Sequence, residues 1–200
     1  MNTDQGGSQR EVALLRERVR AQLSHPLDVA DLEQAGWRAR PDLCLIEMPN
    51  FAEWSSWSVT RHSSQGTALV RQIVWDQMRD CSELWAPLRR AANVAHERAP
   101  SLEVRDTVVE TAKLPHSLTQ LEALALSIPA PDDLLSLEGA RRELLVESGQ
   151  WFLHIGWTSL PAALGPLESW WGLAVSSLRM LCETGSPHPA RREQPGRGRR

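Results

Sequence analysis

The stretch RRELLVESGQWFLHIGW, residues 141–157, decides the fold class of this chain. Two runs of alternating residues flank Gly149-Gln150, and a glycine in the first central position suits a two-residue type II′ turn. The pattern therefore predicts an antiparallel hairpin. Successive strand residues point to opposite faces. One face is predicted to carry Leu144, Val146, Trp151, Leu153 and Ile155, and the other Leu145, Phe152 and His154.

A second hairpin is predicted upstream, with strands at residues 56–63 and 67–75 and Gln65-Gly66 as the turn pair. In that register Trp57 lies opposite Val74, and Val59 lies opposite Gln72. Single strands are predicted at residues 43–48, between two prolines, and at residues 102–109, which are rich in Val and Thr.

Apolar residues at helical spacing predict helices at residues 9–24, 28–35, 82–98, 115–127 and 167–182. Gly36 and Gly185 are expected to end the second and the last of them. The strands come mostly in adjacent pairs and do not alternate one for one with helices. The fold class predicted is α+β, with an antiparallel or mixed sheet built largely from β-hairpins and packed against several amphipathic helices. Residues 10–185 are expected to form a single α+β domain, between a disordered start (1–9) and a disordered Arg/Pro/Gly-rich tail (186–200).

Charge and composition indicate the cellular setting. The chain has 22 basic and 25 acidic residues. Five Arg and one Glu give residues 191–200 a charge of +4, so the other 190 residues carry −7, which disfavours nucleic-acid binding by bulk charge. Nearly every basic residue is Arg, which is typical of a GC-rich bacterial genome. The sequence shows no secretory signal and no membrane-spanning apolar run, so we expect a cytoplasmic protein with three reduced cysteines.

Catalytic motifs are missing from the sequence. It has no phosphate-binding or dinucleotide-binding glycine pattern, no H-E-x-x-H and no G-x-S-x-G, so no cofactor and no metal site are predicted. The candidate catalytic residues are scattered along the sequence. They are His62, Glu143 and His154, and Asp106 is a further candidate. His154 has Glu143 within diagonal reach, and His62 meets His154 if the two hairpins are neighbours. A hydrolase or transferase of unrecognised family is one alternative function.

Tryptophan is the unusual feature of the composition, with nine Trp, two Phe and no Tyr. Trp and Arg dominate the energetics of protein interfaces. Adjacent helix residues are about 100° apart, so if Trp171 is in the core, Trp170 lies at its edge or outside it. Most of the tryptophans are expected to fill core positions that Phe and Tyr usually take, whereas Trp54, Trp57 and Trp170 are the candidates for exposed contact residues. The leading hypothesis is a non-enzymatic protein-binding module (an adaptor, a chaperone-like partner or an immunity-type inhibitor). Weak nucleic-acid binding through the Arg-rich tail is a further alternative, and the oligomeric state stays open.

Overall fold

The computed structural model describes residues 5–24, 29–50, 52–85, 100–119, 140–148, 151–158 and 165–185. The elements in this part of the chain are α1 (Gln5–Ser24), α2 (Val29–Gln34), β1 (Leu43–Met48), β2 (Trp54–Arg61), β3 (Thr67–Trp75), α3 (Gln77–Trp85), β4 (Leu102–Glu110), α4 (His116–Thr119), β5 (Arg141–Ser148), β6 (Trp151–Trp157) and α5 (Gly165–Thr184). A 3₁₀ turn, Thr111–Lys113, follows β4.

The six strands form one antiparallel sheet in the order β4-β3-β2-β1-β5-β6. The central strand pair is β1 with β2, and β1 also pairs with β5, so β1 lies between the two predicted hairpins. The α+β fold with a hairpin-built antiparallel sheet is therefore confirmed. Among the strands that the structure describes, this order leaves β4 and β6 at the two edges of the sheet.

Helices cover both faces of the sheet. On what we call the α5 face, Trp171, Ala174 and Leu178 of α5 pack in one buried cluster with Leu45 and Leu144. On the opposite face, which we call the α1 face, the buried cluster includes α1 and alternate residues of the same central strand. Its members from these two elements are Leu15, Val19, Leu23, Cys44, Ile46 and Met48. Period-two alternation in β1 thus supplies apolar residues to both cores.

The β5–β6 hairpin has the predicted register. Leu144 lies opposite Ile155, Val146 opposite Leu153, and Ser148 opposite Trp151, so the predicted division of residues between the two faces is confirmed. The prediction for the β2–β3 hairpin is wrong by two residues.

In the β2–β3 hairpin Trp57 lies opposite Gln72, and Val59 lies opposite Val70. The reason is His62, whose Nδ1 accepts hydrogen bonds from the backbone N–H of Ser64 and Gln65 at 3.2 and 3.1 Å. These bonds produce a four-residue loop, residues 63–66, instead of a two-residue turn. An even shift in register keeps every side chain on its predicted face.

Helix boundaries differ from prediction mainly at their starts. Helix α1 begins at Gln5, four residues early, and so extends into the segment predicted to be disordered. Helix α3 begins at Gln77, five residues early, and α4 covers His116–Thr119. Gly36 ends α2 with φ of +89°, and Gly185 N–H bonds to Leu181 O after α5, as predicted. The ends of the predicted helices 82–98 and 115–127, and the tail 186–200, lie outside the described residues.

Among the described helices none is both long enough and apolar enough to cross a membrane.

Candidate functional site

Glu143 is the centre of a charged cluster on the α1 face of the sheet. It lies on β5 between Ile46 of β1 and Gly156 of β6, and its side chain is only 3% exposed. Glu143 Oε1 accepts from Arg20 of α1 at 2.6 Å and from Arg141 at 3.0 Å. Its Oε2 lies 3.4 Å from His154 Nε2. Docking of α1 on the sheet and the β5–β6 register together place these four side chains.

The Glu143 cluster has limited chemical options. Two guanidiniums and an imidazole surround the carboxylate, so both of its oxygens already have partners within the cluster. The thiol on the same face, Cys44, is buried with its Sγ 3.6 Å from Leu23 O. Burial, and secondarily the charge of Glu143, raise the pKa of Cys44 to about 12. A thiol with that pKa is not a nucleophile near neutral pH.

The other candidate catalytic residues do not join Glu143 and His154. His62 directly follows β2, and β1 and β5 separate β2 from β6, so the condition for a meeting of His62 and His154 is not met. His62 instead packs edge-on against Trp37, with ring centroids 4.9 Å apart. Its Nδ1 accepts two backbone N–H bonds, so its Nε2 carries the proton that bonds to Ala35 O at 3.1 Å. His62 therefore holds a loop in place.

Asp106 is likewise a structural residue. It forms a bidentate pair with Arg71 across β3 and β4, with Nε–Oδ1 at 2.7 Å and Nη2–Oδ2 at 2.8 Å. The Arg71 side chain is 7% exposed and that of Asp106 is 13% exposed. Within the described residues no group of three or more His, Cys, Asp and Glu side chains is placed to hold a metal ion.

The prediction that Trp54, Trp57 and Trp170 are exposed is wrong. Trp54 packs edge-on against Trp75 and donates to Pro49 O, while Trp57 is 1% exposed. Trp170 is buried because α4 covers it, and its Nε1 donates to Ser117 O at 2.6 Å. Every Trp whose side chain the structure describes is buried, including the remaining four: Trp37, Trp75, Trp157 and Trp171.

The surface feature that the structure does reveal is the edge of β6. Phe152 on this strand is 56% exposed, and Leu153 and Ile155 are half-buried. Glu147 N–H donates to Asp42 O at 3.0 Å, towards β1. Glu147 and its partner Phe152 are therefore a non-hydrogen-bonded pair of the β5–β6 ladder. By alternation, the backbone N–H and C=O of Phe152, His154 and Gly156 point away from β5.

This edge was missed by sequence reasoning although part of its signal was visible. The seven residues Trp151–Trp157 contain no Asp, Glu, Lys, Arg or Pro. Such residues protect edge strands from pairing with other chains, so their absence marks either an interior strand or an unprotected edge. Strand order decides between these, and it is a property of the tertiary structure.

No protein-family model, curated protein or solved structure matches this chain. A functional assignment therefore rests on the geometry of its own residues.

Proposed function

We propose that this protein is a non-enzymatic protein-binding module whose binding surface is the free edge of β6. The observation that carries the proposal is an uncharged edge strand with exposed Phe152 and three residues whose backbone polar groups point outward. Extended segments of partners bind such edges by adding a strand, with main-chain hydrogen bonds supplying affinity and side chains supplying specificity.

The side chains beside the edge favour a polypeptide as the partner. Phe152 and His154 project on the α1 face, and Leu153 and Ile155 on the α5 face, so an added strand meets an aromatic and a polar ring on one side and aliphatic groups on the other. The exposed Phe152 supplies the kind of aromatic anchor that is enriched at protein interfaces. In this proposal Phe152 replaces the tryptophans as the contact residue.

The second candidate function is a hydrolase or transferase centred on His154 and Glu143. The 3.4 Å approach of His154 Nε2 to Glu143 Oε2 is the observation that favours it. In that arrangement Glu143 orients the imidazole and His154 Nδ1 acts as the base. The alternative of nucleic-acid binding through the tail concerns residues 186–200, which lie outside the described part of the chain.

Capture of partners from a lysate of the source organism tests the proposed function. Phe152→Lys adds a charge to β6, and Val104→Lys is the matched control, because Val104 is an exposed (45%) apolar residue of the other edge strand. We expect the wild type and Val104→Lys to capture the same partner, and Phe152→Lys to lose it while keeping its circular dichroism spectrum. Equal capture by all three proteins, or none by any, contradicts the proposal.

A further inference from the structure

We infer that the strand received by β6 is β6 of a second copy of this chain, paired antiparallel about a two-fold axis at His154. The inference rests on the proposed function, since it names the partner of that edge. It requires that β6 be complementary to itself in its backbone groups, in its side chains and in its charge.

The backbone of β6 meets the first requirement. A two-fold axis at His154 places His154 opposite its own copy and Phe152 opposite Gly156 of the second copy. These are the three residues whose N–H and C=O groups point outward, so each of the three resulting pairs exchanges two hydrogen bonds. An axis at Leu153 or Ile155 keeps only two such pairs within Trp151–Trp157. The register centred on His154 therefore satisfies the most backbone groups.

The side chains meet the second requirement. On the α1 face, Phe152 lies opposite Gly156 of the second copy, where the missing side chain leaves room for the ring, and aromatic residues stabilise glycine across strands in this way. On the α5 face, Leu153 lies opposite Ile155 of the second copy, which is an aliphatic cross-strand pair. Both pairs occur twice, as an isologous interface requires.

The charge pattern meets the third requirement. Because Trp151–Trp157 contains no Asp, Glu, Lys or Arg, no like charges of this strand face each other across the axis. The two His154 rings meet at the axis. Each has Glu143 of its own copy 3.4 Å from its Nε2, so the carboxylates lie behind the rings on β5.

Sedimentation equilibrium and disulfide trapping test this dimer. Paired Cα atoms at the axis are about 5.5 Å apart, within the range that a disulfide spans. We therefore expect His154→Cys to form a covalent dimer on mild oxidation, and the matched control Val104→Cys on β4 not to form one. The wild type should sediment at twice its 22.4 kDa chain mass. Phe152→Lys should dimerise at least about 100-fold more weakly, since the unpaired charge enters the interface twice.

The outcomes separate the inference from the proposed function. A wild type that is monomeric at every concentration overturns the dimer, and β6-dependent capture of a different protein then leaves the proposed function standing. A dimer that persists in Phe152→Lys, without the His154→Cys disulfide, uses another surface and also overturns the inference. A monomer that captures nothing overturns both.

Discussion

The two edge strands of the sheet have opposite chemistry. Strand β4 (LEVRDTVVE) has four charged residues among nine, whereas β6 (WFLHIGW) has none among seven. Charged side chains on an edge oppose pairing with another chain, because the pairing desolvates them. The described sheet therefore has one charged edge and one edge without Asp, Glu, Lys or Arg, and this difference is the basis for proposing β6 as the binding edge.

The charges of β4 have two separate roles. Asp106 pairs with Arg71 where both are largely buried, whereas Glu103 pairs with Arg105 at 2.6 Å where both side chains are at least half exposed. The first pair holds β4 onto β3, and the second keeps charge at the edge. Strand β6 has no equivalent of the second pair.

The largest effect is expected from breaking the buried pair of β4. Asp106→Ala removes one member of a bidentate, largely buried ion pair, and we expect the free energy of unfolding to fall by about 3–5 kcal/mol. The matched control Glu103→Ala breaks the exposed pair and should cost about 1 kcal/mol or less. Urea titration of both variants measures the difference. Similar losses for the two would mean that the charges of β4 do not divide into these two roles.

An intermediate effect is expected from removing the exposed Glu103–Arg105 ion pair of β4, which leaves Glu110 in place at the end of the strand. The double variant Glu103→Val and Arg105→Val gives each copy two unprotected edges, so association no longer closes at a dimer. Sedimentation velocity should show a mass that keeps rising with protein concentration beyond that of the wild type. The charge-swapped control, Glu103→Arg with Arg105→Glu, should behave as the wild type does. An unchanged mass in the double valine variant would show that charge does not protect this edge.

The smallest effect concerns two thiols, Cys44 of β1 on the α1 face of the sheet and Cys182 of α5 on the opposite face. Burial, with a smaller contribution from Glu143, raises the pKa of Cys44 to about 12; burial and Asp106 raise that of Cys182 to about 11. In the unfolded chain these thiols lose protons near pH 9, so the unfolded state binds fewer protons at alkaline pH. Their contribution to stability is complete below pH 9 and is lost as the pH rises towards 11 and 12.

Urea titrations between pH 8 and 10.5 measure this loss. Tyr and Lys, the other side chains that titrate at alkaline pH, contribute little because the chain has no Tyr and a single Lys. Each thiol should steepen the fall in unfolding free energy by up to about 1.4 kcal/mol per pH unit. Cys44→Ala and Cys182→Ala should each flatten the slope. A wild-type slope equal to that of the variants would show that the thiols ionise equally in both states.

Local periodicity explains how much of the fold was predictable. The β5–β6 hairpin and the faces of its side chains were predicted correctly, because the alternation of a strand and the type of a tight turn depend on residues that are adjacent in the sequence. The register of the β2–β3 hairpin was predicted wrongly, because the His62 side chain accepts hydrogen bonds from two backbone N–H groups and lengthens the loop. The approach of Glu143 and His154 was anticipated, since both lie on one hairpin.

The sequence by itself determined the strands, the helices and the face on which most strand side chains lie. Only the tertiary structure decided which strands form the edges and which aromatic rings are covered. Trp170 is buried because Ser117, more than fifty residues away, accepts its N–H bond, and Phe152 is exposed because β6 comes last in the sheet. Burial depends on contacts between distant segments, and these follow from strand order and helix docking rather than from the pattern of neighbouring residues.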